Sequence, residues 1–355
     1  MHTCKYDLAG SVIKSLKLKE ILPNLDGDIE LMHGPTNGSE ELRTGVSQLY
    51  SNLDKENVLI VNGTTEGNFL AMSWLLEPGD EMILGGVPTY LQGAGLAEAL
   101  GARVKYFRLD EEQDYRINVD SLNRLVSRKT KAIMIISPNN PTGSRFSAEE
   151  VRGICEVAED ANAYVLADEV LRHTELDGTP SLSPSEIYER GISTGGLSKL
   201  GLAGLRTGWL VAERELVKGI WAQKDYTTLA NPILSDHVAA IALQKDNIRR
   251  IVRRAREICE ENWRVFSGWL AKHRHVLKCV TPLAGAVAFP RYELDVDSVE
   301  FCKRLMKEKD VMLTPGDYFM APKHFRIQYA GTDAKTLEEA LGLFSEFLTG
   351  FGSGG

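Results

Sequence analysis

The chain has 355 residues, more than one hydrophobic core usually holds, so a large domain with a smaller one is the expected organisation. Hydrophobic residues at 43% and charged residues at 25% are ordinary for a globular protein. A net charge of −8 argues against a nucleic-acid surface, and one basic run, "RRIVRRAR" (249–256), lies inside a helical pattern and reads as a solvated helix face.

Five cysteines, Cys4, Cys155, Cys259, Cys279 and Cys302, are scattered without CxxC spacing. Such a set points away from a disulfide framework and from a zinc site, so no metal is expected. A reducing cytoplasm fits it best. The start, "MHTCKYDLAG", has no apolar core of a signal peptide, and no run reaches the length of a membrane span. The closing "GFGSGG" reads as a flexible end.

In chain order, "VLIV" (58–61), "EMILG" (81–85), "VKYF" (104–107), "AIMIIS" (132–137), "YVLAD" (164–168) and "GWLVA" (208–212) read as buried strands. Amphipathic stretches at 66–76, 91–100 and 148–161 lie between several of them. The alternation predicts a largely parallel α/β sheet with helices on both faces. Ser147 with Glu150 three residues on forms a capping box before the helical stretch at 148. After 236 the pattern changes to one long helical region, 238–273, then short turn-bounded segments at 281–290, 311–319 and 325–330, and a final helix, 334–349. Residues 45–236 are therefore expected as the large domain, with 1–44 and 237–355 forming a smaller α+β domain.

The stretch "STGGLSKLGLAGLRTGW" (193–209) crowds small residues around Lys199 and Arg206, which lets other groups come close to the backbone. Lys199 has three readings: a surface lysine, a phosphate ligand, or a lysine that forms an imine with a carbonyl cofactor. The pattern GxxxxGK[ST] is absent, which removes the common nucleotide loop. "GAGLAE" (93–98) lacks the third glycine of a dinucleotide fingerprint. The imine reading needs a carboxylate for a pyridine nitrogen and donors for a phosphate. Asp168 ends the strand "YVLAD", and "NGTTEGNFLAM" (62–72) opens a helix, whose N-terminus is a ready anion site.

With these motifs in order, the chain resembles the pyridoxal-phosphate-dependent aminotransferases of class I/II, fold type I, over roughly residues 30–335. The resemblance implies an α/β fold: a large domain with a mostly parallel central sheet sandwiched by helices, plus a smaller α+β domain. It implies pyridoxal 5′-phosphate as cofactor, Lys199 as the imine lysine, and Asp168 ("ADE") as the partner of the pyridine nitrogen. Asn140 ("NPTG") would face the cofactor's 3-oxygen and the substrate, and Tyr90 ("PTY") would stack on the ring. Thr64, Thr65, Ser198 and Arg206 ("GLRTGW") would hold the phosphate, and Arg326 ("FRI") the substrate α-carboxylate. Most have a plainer alternative: a helix cap for Asp168 or the threonines, a turn residue for Asn140, a core ring for Tyr90, an ion pair for Arg206 and a strand-edge residue for Arg326. Gly10 and Ser11, in the segment 7–22 expected to run over the site's mouth, are candidate substrate neighbours.

Four departures from the family pattern stand out. Leu171 occupies the place of a tyrosine that usually bonds the 3-oxygen, and leucine has no donor. Lys199 and Arg206 are seven apart where eight is commoner. Gly196 stands three before the lysine, where a hydroxyl residue is frequent. His33 stands where a tyrosine usually reaches the neighbouring subunit's phosphate. The expected activity is transfer of an amino group between an L-amino acid and a 2-oxo acid, in a cytoplasmic homodimer with neither nucleic acid nor membrane as partner. The alternative is a specialised enzyme of amino-acid or secondary metabolism on the same fold, catalysing elimination, decarboxylation, oxidation or cyclisation.

Overall fold

In the computed structural model, which describes residues 4–24 and 27–352, seven strands pair into one sheet. They are β1 (Val58–Val61), β2 (Glu81–Val87), β3 (Arg103–Arg108), β4 (Thr130–Ile136), β5 (Tyr164–Asp168), β6 (Gly191–Gly196) and β7 (Gly208–Val211). The spatial order is β1-β7-β6-β5-β4-β2-β3. Strand β7 runs antiparallel to both neighbours, and every other pair is parallel.

Alternate residues of each strand serve opposite faces. Met82, Leu84, Met134 and Leu166 pack with Leu70, Leu75, Ala97 and Val217, from the helices Thr64–Leu75, Gln92–Ala99 and Arg214–Trp221. Ile83, Ile133, Ile135 and Val165 point the other way, onto Val151 and Ile154 of the helix Ala148–Asp160. The capping box at Ser147 is present: its hydroxyl accepts from Glu150 N, and Glu150 returns a carboxylate to Ser147 N.

A second, smaller sheet of three antiparallel strands places Phe325–Gln328 between Val287–Ala288 and Thr314–Pro315. Helices Lys245–Lys272, Ser298–Lys309 and Ala334–Gly352 pack around it through stacked rings, including Phe301 on Tyr292 and Phe325. The chain's start joins this part: Tyr6–Asp7 pairs in parallel with Val311–Met312.

The structure differs from the sequence-based expectations at four places. The long helical region is two helices, Ile233–Ala242 and Lys245–Lys272. The apolar period runs through the break, and no Gly or Pro marks it; Asn247 closes the first helix by donating to Ile241 O at 2.9 Å. Strand β6, "GISTGG", was not expected, because its glycines carry no strand signal. It is nevertheless buried along its whole length. A Cβ on Gly191 would collide with Pro184 O, and one on Gly195 with Trp209 Nε1. The glycines are there for close approach. Strand β3 lies at the sheet edge and is mostly half-exposed rather than buried. The basic run is more than a solvated face: Arg250 donates to Glu20 O at 2.7 Å and Arg254 to Lys14 O at 2.9 Å, fastening the N-terminal segment. Residues 353–355 of the expected flexible end lie outside the described residues.

Candidate active site

The candidate site lies at the C-terminal ends of the parallel strands, where open α/β sheets place their ligands. Asp168 is the last residue of β5 and is buried. Its Oδ1 accepts from Val170 N at 3.0 Å and its Oδ2 from Asn68 Nδ2 at 2.9 Å. Burial raises its pKa, while the bond from Asn68 acts the other way. Thr194 on β6 donates to Asn68 Oδ1 at 2.7 Å, which fixes the amide's orientation toward the carboxylate. Asn68 also donates to Gln92 Oε1 at 3.1 Å, and Gln92 Nε2 to Thr65 O at 2.9 Å. One hydrogen-bonded chain thus joins the carboxylate to the first turn of the helix Thr64–Leu75.

Lys199 follows β6 in a short turn, Ser198–Leu200, that ends on Gly201 in the left-handed region. Its Nζ donates to Ser11 Oγ at 2.8 Å. Burial brings the amine down to about 8, helped by the charge of Arg326 and opposed by Asp168. Lys199 therefore sits within electrostatic reach of both groups.

The anion corner is built from backbone. Gly63 caps the helix Thr64–Leu75 without a side-chain bond, and the first N–H groups of a helix have no intrahelical acceptor. Strand β7 approaches this terminus closely, because a Cβ on Gly208 would stand 2.6 Å from Thr64 N. Arg206 adopts φ +50°, a left-handed conformation uncommon for a residue with a side chain. Its guanidinium reaches Gly63 so closely that a Cβ there would collide with it. Thr64 is buried and donates to Gly195 O at 3.1 Å, whereas Thr65 is exposed. Ser198 is half-buried beside Lys199.

Arg326 on the small sheet is buried, and burial lowers its pKa to about 10. One terminal nitrogen donates to Asn140 Oδ1 at 2.8 Å, the other to Ala9 O at 2.5 Å and Thr314 Oγ1 at 3.2 Å. Its Nε is buried with no hydrogen-bond partner. Tyr90 is 42% exposed and near enough to Arg326 to influence its charge. Gly10 packs on Gln328, whose Oε1 would collide with a Cβ at that position. Leu171 is buried, and its Cδ2 lies 3.0 Å from the place a Cβ on Gly285 would take. His33 is exposed, and no hydrogen bond or ion pair ties it to Lys199, Asp168 or Arg206 among the described residues.

Sequence reasoning missed Asn68, Asn139 and the pair Glu66–Lys224. Asn139 donates to Pro88 O at 2.9 Å and accepts from Thr89 Oγ1 at 2.9 Å, holding the loop before Tyr90 against the loop of Asn140. Glu66 accepts from Thr227 Oγ1 at 2.6 Å, Thr228 Oγ1 at 2.7 Å and the buried Lys224 Nζ at 3.3 Å. It anchors the loop 224–228 to the anion corner's helix. The "NNP" doublet was the one available signal for Asn139.

The aminotransferase class I and II family profile matches residues 4–344. The chain belongs to that family. Family members depend on pyridoxal phosphate, and so does this enzyme. Capreomycidine synthase of Streptomyces vinaceus is 30% identical over 97% of this chain and 90% of its own length. Aspartate aminotransferase of Thermotoga maritima is 28% identical over 90% of this chain and 84% of its own. A crystal structure of a PLP-dependent aminotransferase from Streptococcus suis superposes with a TM-score of 0.91 at 31% identity, covering 98% of this chain and 94% of that one.

The residues present fit the aminotransferase cofactor. A buried carboxylate with raised pKa suits a cationic pyridinium N–H, and a helix N-terminus beside Arg206 suits a phosphate dianion. A lysine amine near 8 suits an aldehyde. The unpaired Nε of Arg326 suits one more acceptor in the site.

Proposed function

We propose that the enzyme moves an amino group between an L-amino acid and a 2-oxo acid. The observation that carries this reading is that Lys199 lies within electrostatic reach of both Arg326, a buried guanidinium with an unpaired Nε, and the carboxylate of Asp168. When bound, pyridoxal phosphate supplies the electron sink for breaking the substrate Cα–H bond. Asp168 keeps the ring nitrogen protonated. Arg326 and Asn140 hold the α-carboxylate. Lys199 Nζ would accept the substrate Cα proton and hold it as an ammonium for return. Thr64, Thr65, Ser198 and Arg206 would hold the phosphate, and Tyr90 would cover the ring. Residues 45–236 form the cofactor-holding unit, and the small domain brings Arg326 to it.

The assembly this reading expects is a cytoplasmic homodimer. A cavity of about 890 Å3 lies between the helices Glu40–Ser47 and Ile233–Ala242. Large apolar side chains, Leu31 at 79%, Met32 at 64% and Tyr226 at 85%, stand exposed. His33 lies next to Met32, so in a dimer it would serve the neighbouring subunit's phosphate and not its own.

A second reading, a specialised enzyme catalysing elimination, decarboxylation, oxidation or cyclisation, is favoured by Leu171 and by the likeness to a synthase. The test incubates the cofactor-loaded enzyme with each of the twenty L-amino acids singly. About one equivalent of 2-oxo acid per subunit without ammonia supports transfer, with turnover once a 2-oxo acid acceptor is added. Ammonia, carbon dioxide or peroxide in its place establishes the second reading.

A further inference from the structure

The segment Tyr6–Leu16 crosses the site as a strap with backbone anchors on both sides of Ser11. Leu8 N donates to Met312 O at 3.0 Å, and Leu8 O accepts from Gln328 N at 2.8 Å. Ala9 O accepts from Thr314 Oγ1 at 2.7 Å and from Arg326. Gln328 Nε2 donates to Val12 O. Beyond it, Lys14 N donates to Ala330 O at 2.9 Å and Leu16 N to Gly201 O at 2.9 Å. None of these bonds uses the Ser11 hydroxyl. That hydroxyl goes to Lys199 Nζ, 2.8 Å away. A hydroxyl both accepts and donates, so it can partner an ammonium and a neutral amine alike.

We propose that Ser11 is a positioning residue for Lys199, its hydroxyl holding the free amine in the orientation from which it exchanges a proton with the substrate Cα. The inference rests on Lys199 being the base of the proposed reaction. In the step it serves, the Cα–H bond breaks and its electron pair stays with the substrate carbon, conjugated to the cofactor ring. The proton passes to Nζ, and the resulting ammonium donates to Ser11 Oγ. The same strap carries Ala9 O on Arg326, so one short segment touches both the base and the carboxylate-binding guanidinium. A bond to an ammonium is stronger than one to a neutral amine, so Ser11 also favours the charged lysine.

Two readouts test this on Ser11→Ala and Ser11→Thr. In the cofactor-free protein, Lys199 acetylation by acetic anhydride is followed against pH by peptide mapping. Ser11→Ala is expected to lower the midpoint by about half a unit or more, as loss of a bond to a charged group requires, and Ser11→Thr to restore it. In the loaded enzyme, Ser11→Ala is expected to lower kcat about tenfold with KM within about twofold, and to raise the isotope effect with α-deuterated substrate. Melting temperature and cofactor affinity stay at wild-type values. An unmoved acetylation midpoint overturns the proposal, as does a threonine variant that melts like wild type yet restores neither readout. If Ser11→Ala melts early, Ser11→Cys, which keeps the shape and weakens the bond, carries the same comparison. The acetylation readout needs no turnover, so failure of the transfer reading is distinguishable from failure of this one.

Discussion

Asn68 is oriented by Thr194 so that its amide nitrogen, not its oxygen, faces Asp168, 2.9 Å from Oδ2. Asn68 thereby favours the ionised carboxylate against the burial that opposes it. Asn68→Ala should raise the Asp168 pKa further and weaken pyridoxal-phosphate retention at pH 7. A hydrogen bond to a charged group is worth roughly 1.5–3 kcal/mol, so the loss should be about tenfold or more. Equilibrium dialysis reads it directly. The deficit should shrink as pH rises, because alkali ionises Asp168 without help.

Arg206 makes a sharper separation. It is exposed, strained at φ +50°, and aimed at the cap of the helix Thr64–Leu75. Arg206→Ala should cut affinity for pyridoxal phosphate about 10- to 100-fold, in line with a charge-assisted bond to phosphate. Affinity for unphosphorylated pyridoxal should be unchanged. Equal losses for both ligands would assign Arg206 to the fold and not to the phosphate.

Leu171 tests the cofactor's electronics. A tyrosine hydroxyl on the 3-oxygen would stabilise its negative charge in the high-pH form of the visible chromophore. Leu171→Tyr should therefore lower the pH midpoint of the visible band by about one to two units, from roughly 1.5–3 kcal/mol at 1.36 kcal/mol per unit. A spectrophotometric titration of both proteins decides it. An unchanged or raised midpoint with cofactor bound contradicts the inference.

Glu169, the neighbour of Asp168, is a carboxyl group held out of water. It is buried, its Oε1 has no hydrogen-bond partner among the described residues, and Tyr50 donates to Oε2 at 3.4 Å. Burial pushes its pKa up to about 7. A raised carboxyl pKa means the folded state holds a proton the unfolded state has lost, so its contribution is complete at acid pH and lost as pH climbs to about 7. Glu169→Gln should remove that dependence. Relative to wild type, the variant should gain stability between about pH 4.5 and 7, by at most about 3 kcal/mol, and hold the gain above. Urea melts at pH 5 and pH 8 measure the difference.

The strands were legible where burial demands aliphatic runs, as in "AIMIIS" and "YVLAD". Strand β6 was not, because its residues answer to Trp209 and Pro184 crowding against it and not to strand propensity. The same divide runs through the site. Asp168, Lys199 and Arg326 sit in short motifs whose chemistry is compact in sequence. Asn68 is one polar residue in a helix, and only packing turns it onto Asp168, 100 positions away. Ser11 could be named as a neighbour of the substrate, but its bond to Lys199 depends on a strap held by residues 312–330. The helix break at Leu243–Gln244 was invisible because the apolar period passes through it.

That strap also sets an order of events during synthesis. Ala9 and Ser11 precede the seven-stranded sheet in the chain, yet their docking partners Met312, Thr314, Arg326 and Gln328 all follow it. The seven-stranded sheet, by contrast, is complete once residue 211 has emerged. A nascent chain can thus assemble the sheet well before it can place Arg326. A chain that stops before residue 312 leaves the strap undocked and lacks Arg326. The segment made before the sheet thus waits for the strands made after it.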